Sequence, residues 1–445
     1  MLLLTIGLLI VLIIISYIIF DRDVLAPPTV VSMGLFFSTV CAYYNEEKWG
    51  LHFSDITTFT IVAGVSFFIL GSMLAVLLSN ISHINRVGFS HKAYSITPLS
   101  IKTSKTLLII IFELATVVLL YSELRNITGQ SNWLDIIVTY RLQTATVDPN
   151  EYVMHLSSFV KLCIDLSFAI ALVYSYVIGN NIALRKKHSF LNWLPVILSC
   201  LMGFMQGYRS DMIRLWVAII VVAFTLKKRS TGWAGGKDIK RLVKKMALSV
   251  LTVAVIFAAL RGAVGRSDTE TDPLYYVTFY AGCPVALFDI FLKDPLPPSD
   301  IWGKETFYNL NQSIGVWTGN SKLRYIFYKE FRKSPNGTYI GNVYTALRPP
   351  YYDFGFGGMI IVLFLMGAFF TFLYCKVRTP YGKSPIDFRL LLYSYISYTF
   401  FMYFYNCYNG FIGLGFVKLI IELLAVRWFL LDVHFKALAA SREAG

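Results

Sequence analysis

Two quoted stretches, RGAVGRSDTETDP at residues 261–273 and ALRPPYYDFGFGG at residues 346–358, bracket the part of this chain that organises the rest. Between them, Arg261 to Gly355 is a long segment polar enough for water, yet it sits between strongly apolar runs. It is rich in Arg, Tyr and Asp. It also holds an apolar patch, LYYVTFYAGCPVALFDIF (Leu274 to Phe291), of the kind that lies half-embedded in a bilayer. The reading is a large extracytoplasmic segment, 261–355, capping a cavity in a membrane protein.

Composition fixes the class. Of 445 residues, 56% are hydrophobic and 15% charged, where a soluble domain carries about 25% charged residues. Several apolar runs reach the roughly 20 residues that cross a hydrocarbon core. A transmembrane barrel would instead show alternating segments of about ten residues. The fold class is therefore an all-α polytopic membrane protein, one integral domain over 1–445. The net charge of +14 would suggest nucleic acid in a soluble protein. Here the basic residues cluster in loops, where they set topology and touch anionic lipid, so no nucleic-acid partner is expected. Six scattered cysteines without a CxxC pair give no disulfide framework and no zinc site. The apolar run Leu2 to Phe20 lacks a basic n-region and reads as a retained helix.

Taken in order, the spans are expected near 2–20, 28–44, 56–78, 106–124, 157–178, 190–205, 212–226, 246–260, 356–375, 388–406 and 411–431. The Pro27–Pro28 pair suits a helix's first turn. An outer loop with an interfacial helix is expected over 125–156, because Trp133, Ile136, Ile137 and Tyr140 fall at helical spacing. The loop Lys227–Lys245 is the most basic. Placing it in the cytoplasm puts the basic loops Arg86–Lys105, Arg185–His188 and Lys376–Lys383 on the same side. That alternation gives about eleven spans, with the N-terminus outside and the C-terminus cytoplasmic. Lys161 and Asp165, four apart, are spaced to pair within one helix.

The outer face then gathers 125–152, the turn 206–211 and 261–355. Arginine beside a bilayer is expensive and marks function, and its planar fork grips phosphate oxygens bidentately. Arg209 and Arg261 are the first candidates, followed by Arg266, Arg348, Arg141 and Arg214. Arg214 is also placed to pair with Asp211. Candidate proton-transfer groups are Asp289, Asp353 and His155. Tyr208, Tyr276, Tyr280, Tyr344 and Tyr351 suit stacking on sugar faces. No HExxH, GxSxG, Walker A or dinucleotide fingerprint occurs, so neither a metal nor another cofactor is indicated.

GYRSDMIRL (207–215), RGAVGR (261–266), TFYAGCPVALFD (278–289) and GNVYTALRPPYYDFGFGGMIIVLFLMGAF (341–369) resemble the Wzy-type O-antigen and capsule oligosaccharide repeat-unit polymerases. The likeness covers about residues 200–370 together with the order of elements. It implies a GT-C-like, metal- and nucleotide-independent glycosyltransferase of the bacterial inner (cytoplasmic) membrane. The implied donor is a growing glycan on undecaprenyl pyrophosphate. The implied acceptor is a repeat unit on a second carrier, and a chain-length-determinant co-polymerase is an implied partner. By the same resemblance the outer arginines, Arg209 and Arg261 foremost, stabilise the pyrophosphate leaving group. The alternatives are an O-antigen ligase and a transporter or flippase of lipid-linked oligosaccharide. The long outer segment holds no histidine, which speaks against a ligase. A transporter would show repeat symmetry and charges deep in several helices.

Overall fold

The computed structural model describes residues 1–81, 93–146, 155–185, 189–234, 236–259, 272–381 and 384–431. In chain order the helices are α1 (Leu2–Ile19), α2 (Pro27–Tyr44), α3 (Glu46–Trp49), α4 (Asp55–Ile81), α5 (Thr103–Thr128), α6 (Trp133–Thr146), α7 (Ser158–Ala183) and α8 (Leu194–Met205). They continue as α9 (Ser210–Ser230), α10 (Lys237–Ala259), α11 (Pro273–Lys293), α12 (Tyr308–Thr318), α13 (Arg348–Val377), α14 (Phe388–Phe401) and α15 (Leu414–Leu431). The strands among these residues are a short antiparallel pair, β1 (Arg332–Lys333) and β2 (Tyr339–Gly341).

Local sequence explains the helix starts. α2 begins on its proline pair. Ser157 caps α7 by accepting the Val160 N–H, and Asp387 caps α14 by accepting the Arg389 N–H. Asp272 accepts the Leu274 N–H and Pro273 opens α11. These are the residue types that relieve unpaired first-turn donors.

Among the described residues six helices, α1, α4, α5, α7, α11 and α13, are long and apolar enough to cross a membrane. Their outward faces carry large apolar side chains, such as Leu3, Ile14, Leu108, Ile111, Val118, Ile361 and Leu365, exposed on the bundle surface. Polar side chains such as Thr5, Ser32, Ser72, Ser175 and Thr371 are buried between helices. That inversion of the water-soluble pattern is what a lipid surround selects.

The chain's polar segments sort to two ends of the bundle. At one end, called here the basic end, Arg229 donates to the carbonyls of Val377 and Thr379 and pairs with Asp387 at 2.8 Å. Tyr374 Oη donates to Asp23, the Tyr94 N–H to the Arg229 carbonyl, and Asn180 to the Thr97 carbonyl. At the other, capped end, Asn336 donates to the Glu47 carbonyl, Ser54 to Asp289, Tyr328 to the Thr144 carbonyl and Lys329 to Asn406.

Small residues let helices touch. α4 and α13 run side by side in the same direction, Phe59 meeting Phe356 and Phe68 meeting Phe370. A Cβ at Gly71 would stand 1.9 Å from the Phe364 carbonyl oxygen, and one at Gly367 would stand 2.1 Å from that of Phe68. Close backbone approach through glycine is the usual glue between membrane helices.

Three differences from the sequence reading have physical causes. The apolar patch 274–291 lies wholly within a 21-residue helix, α11, largely buried against α2. α14 stops at Phe401, and 402–413 is held open by side-chain bonds: Thr399 Oγ1 donates to the Tyr408 carbonyl, and the Cys407 N–H donates to Asn406 Oδ1. Asp165 pairs at 2.5 Å with Lys418 of α15, which also reaches Glu422, so its partner lies across the helix interface from Lys161.

Candidate functional site

Two cavities open at the capped end, and one irregular segment separates them. The larger, of about 730 Å³, is largely apolar. Phe37 of α2, Ile213, Trp216 and Val217 of α9, Phe401 and Phe404 line it. It extends to Leu25 and Met246 toward the basic end. Its mouth is polar: Tyr208, Arg209, Ser210, Tyr280, Tyr405 and Tyr408.

Arg209 is the cap residue of α9 and is buried. Its Nη1 and Nη2 each donate to Tyr276 Oη at 3.2 Å, and Tyr276 packs on Tyr280 with ring centroids 4.8 Å apart. Gly207 makes the turn possible in two ways. Its φ of +78° favours glycine. A Cβ there would also stand 2.8 Å from Cβ and Cγ of Arg141, whose stem crosses the turn. Arg141, Tyr208, Arg209, Tyr276 and Tyr280 therefore converge. Burial pushes the exposed-edge phenol of Tyr208 above its ordinary range, with Tyr328 and Asp211 adding to the shift. Arg214, one turn further into α9, pairs with Asp211 at 3.3 Å and sits 4.7 Å over Tyr398.

The second cavity, of about 260 Å³, is mostly polar. It lies among Glu305, Thr306, Tyr308, Tyr328, Lys329, Asn342, Val343, Asn406 and Asn409. Residues 402, 404, 405 and 408 line the apolar cavity while 406, 407 and 409 line the polar one, so the unwound stretch after α14 is their common wall.

Behind the polar cavity stands a buried charge cluster. Arg348, fully buried, donates from Nη2 to Glu305 Oε1 at 3.0 Å and to Glu330 Oε2 at 2.6 Å. Its guanidinium lies 4.0 Å over the Tyr344 ring and 4.8 Å over Phe291. Tyr344 Oη donates to Glu330 Oε1. Lys329 Nζ donates to Asn406 Oδ1 at 2.7 Å. Burial raises the Glu305 carboxyl to about 7 against the opposing pull of Arg348 and Lys329. Burial likewise lowers the Lys329 ammonium to about 8 despite Glu305. Burial alone would raise Glu330, but Arg348 holds it below its ordinary value. Burial lifts the Cys407 thiol to about 12, so it is protonated.

The residues singled out from sequence fall into separate places. Arg209, Arg141, Tyr208, Tyr276 and Tyr280 meet at the apolar cavity's mouth. Arg348, Tyr344 and Asp353 belong to the charge cluster. Asp353 accepts the backbone N–H of Glu305 (3.1 Å) and of Thr306 (2.7 Å), fixing the turn that carries Glu305. Tyr351 packs edge-on against Phe288 and Phe291. Asp289 stands elsewhere: it accepts Ser54 N–H, Ser54 Oγ, Thr57 Oγ1 and Lys293 Nζ, tying α11 to the start of α4. His155 is exposed ahead of the α7 cap. Arg261 and Arg266 lie outside the described residues.

Glu305, Lys329, Glu330, Asn406 and Asn409 were not reached from sequence. The only signal was a pair of KE dipeptides beside aromatics, GKETF (303–307) and YKEF (328–331). Among the described residues no group of three or more His, Cys, Asp or Glu side chains is placed to hold a metal ion. No family model, no curated protein and no solved structure matches the chain.

Proposed function

We propose that this protein is a membrane glycosyltransferase that polymerises oligosaccharide repeat units carried on undecaprenyl pyrophosphate, a Wzy-type polymerase. In this reading about eleven helices span a bacterial inner membrane. The basic end faces the cytoplasm, and the capped end faces outward with the 261–355 segment over the site. The distribution of basic loops supports that orientation.

One observation carries the reading: a long apolar cavity with a buried arginine at its polar mouth, walled off by a single strand of chain from a polar cavity. A prenyl tail needs an apolar channel, a diphosphate needs a fixed cation, and a sugar needs hydrogen-bonding groups beside both. The acceptor hydroxyl oxygen attacks the donor's anomeric carbon. The bond from that carbon to the diphosphate oxygen breaks, and its electron pair leaves with the diphosphate. Arg209, assisted by Arg141, stabilises that growing charge. An arginine already buried needs little reorganisation when the charge develops, and holding both substrates on one wall provides orientation. A chain-length co-polymerase is the expected partner.

The test is reconstitution in lipid vesicles with the lipid-diphosphate-linked repeat unit as sole substrate. A ladder of longer glycans is the expected product. Passage of the lipid-linked unit across the bilayer without new linkages would replace the proposal with a flippase. Transfer only to a lipid-core acceptor would replace it with a ligase.

A further inference from the structure

We infer that the polar cavity beside Glu305 is the site for the acceptor sugar, with Glu305 Oε2 taking the proton from the attacking hydroxyl. The inference rests on the polymerase reading above and names the group that performs its proton transfer.

Three residues of the cavity wall each carry a buried oxygen with no hydrogen-bond partner among the described residues: Glu305 Oε2, Thr306 Oγ1 and Asn409 Oδ1. All three residues are more than nine-tenths buried. A buried polar atom without a partner is costly. Their grouping on one small cavity fits a ligand that brings its own donors and acceptors. Glu305 is also half-used: Oε1 takes Arg348, while Oε2 remains for a ligand.

The rest of the wall suits a sugar. Asn342 and Asn406 add amides, Lys329 adds a cation, and Tyr308 and Tyr328 add aromatic faces for the apolar face of a pyranose. A cavity of about 260 Å³ is at the lower edge of the 300–1,000 Å³ typical of small-molecule sites, so it suits a terminal sugar rather than a whole repeat unit. Its position across the 402–409 wall from Arg209 puts acceptor and leaving-group sites on adjoining surfaces.

The proton balance closes. The hydroxyl hydrogen passes to Glu305 Oε2 as the new carbon–oxygen bond forms, and the displaced diphosphate keeps the electron pair of the broken bond. The charged groups facing Glu305 are Arg348 and Lys329, which favour its carboxylate, and Asp353 and Glu330, which oppose it. A carboxyl raised to about 7 is charged above neutrality yet basic enough to accept a proton.

The experiment uses the full chain in phosphatidylethanolamine–phosphatidylglycerol vesicles. One probe is the lipid-diphosphate-linked repeat unit extracted from cells of the same source lacking this protein; the other is undecaprenyl diphosphate alone. Glu305→Gln is expected to slow ladder formation about 100-fold, with undecaprenyl diphosphate binding within about twofold of wild type and Glu305→Asp partly active. Val343→Trp, which fills the cavity while leaving Glu305, Glu330 and Arg348 in the chain, is expected to do the same, and it decides the matter if Glu305→Gln fails to fold. A wild-type ladder together with wild-type rates in these variants overturns the inference and leaves the polymerase reading standing. Loss of diphosphate binding along with the ladder marks a structural role and also overturns it. No ladder from the wild type removes the polymerase reading, and the inference goes with it.

Discussion

The two cavities at the capped end share a wall and differ in almost everything else. One is long, apolar and polar only at its mouth. The other is small and polar, backed by Arg348, Glu305, Glu330 and Lys329 in alternating charge. On the proposed reading, the difference separates two tasks that a lipid-linked substrate would impose at once. A hydrocarbon tail needs shape and no hydrogen bonds, while a hydroxylated sugar needs fixed partners. The two arginines show the same division. Arg209 donates to the Tyr276 hydroxyl at the apolar cavity's mouth, whereas Arg348 is clamped between two carboxylates and two aromatic rings. On the proposed reading, Arg348 holds the Glu305 carboxylate in place and Arg209 is the arginine that meets the diphosphate.

The contrast can be broken first at Arg348. Arg348→Met leaves Glu305 buried without its paired guanidinium and takes one of two arginine partners from Glu330, and breaking such a buried pair costs about 3–5 kcal/mol. The variant is expected to unfold at markedly lower temperature in detergent. Unchanged melting would show that the cluster is not structural. Arg209→Ala acts on the other cavity. It is expected to reduce ladder formation at least 100-fold, about 2.7 kcal/mol of transition-state stabilisation, with an unchanged melting temperature. Arg209→Lys should recover little of this, because the bidentate fork is lost.

A pH series sharpens the comparison further. Glu305 must be charged to accept a proton, so ladder formation should fall as pH drops through about 7. Lys329 favours the Glu305 carboxylate. Lys329→Ala therefore raises the Glu305 pKa and should move the acid limb to higher pH; a limb that stays put would assign it to another group. For stability the sign reverses. A carboxyl raised in the folded state binds its proton more tightly there, so its contribution improves as pH falls from about 7 toward the unfolded value of 4.5. The smallest effect is expected at Tyr208, which is half-exposed at the apolar mouth. Tyr208→Phe should change the ladder rate less than about twofold, within the usual ±0.5 kcal/mol of a surface change.

The bundle was legible in the sequence because its signals are local. Apolar run length, the Pro27–Pro28 pair, Ser157 and Asp387 sit where the helices begin. Gly355 marks a kink in α13, with φ +66°, one residue before the expected start of that span at Phe356. The turn GYRSD announced Arg209 through Gly207 and its own polarity. The polar cavity was not legible, since its parts come from 305–309, 327–329, 342–349 and 406–409, joined by tertiary hydrogen bonds. Nothing in local periodicity says that Asp353 fixes the Glu305 turn, or that α14 ends five residues before Asn406. Asp289 misled for a related reason. A carboxylate in an aromatic run looks chemically poised until its four donors are seen.

The central claim is that the apolar cavity holds a prenyl diphosphate with its phosphates at Arg209. Photo-crosslinking with a diazirine-bearing polyprenyl diphosphate, followed by mass-spectrometric mapping, tests it most directly. Crosslinks are expected on α2 at Met33 to Phe37 and on α9 at Ile213 to Val217, and Arg209→Ala should abolish them. Crosslinks spread over outward-facing side chains such as Ile14, Leu108 and Val118, unaffected by Arg209→Ala, would contradict the account.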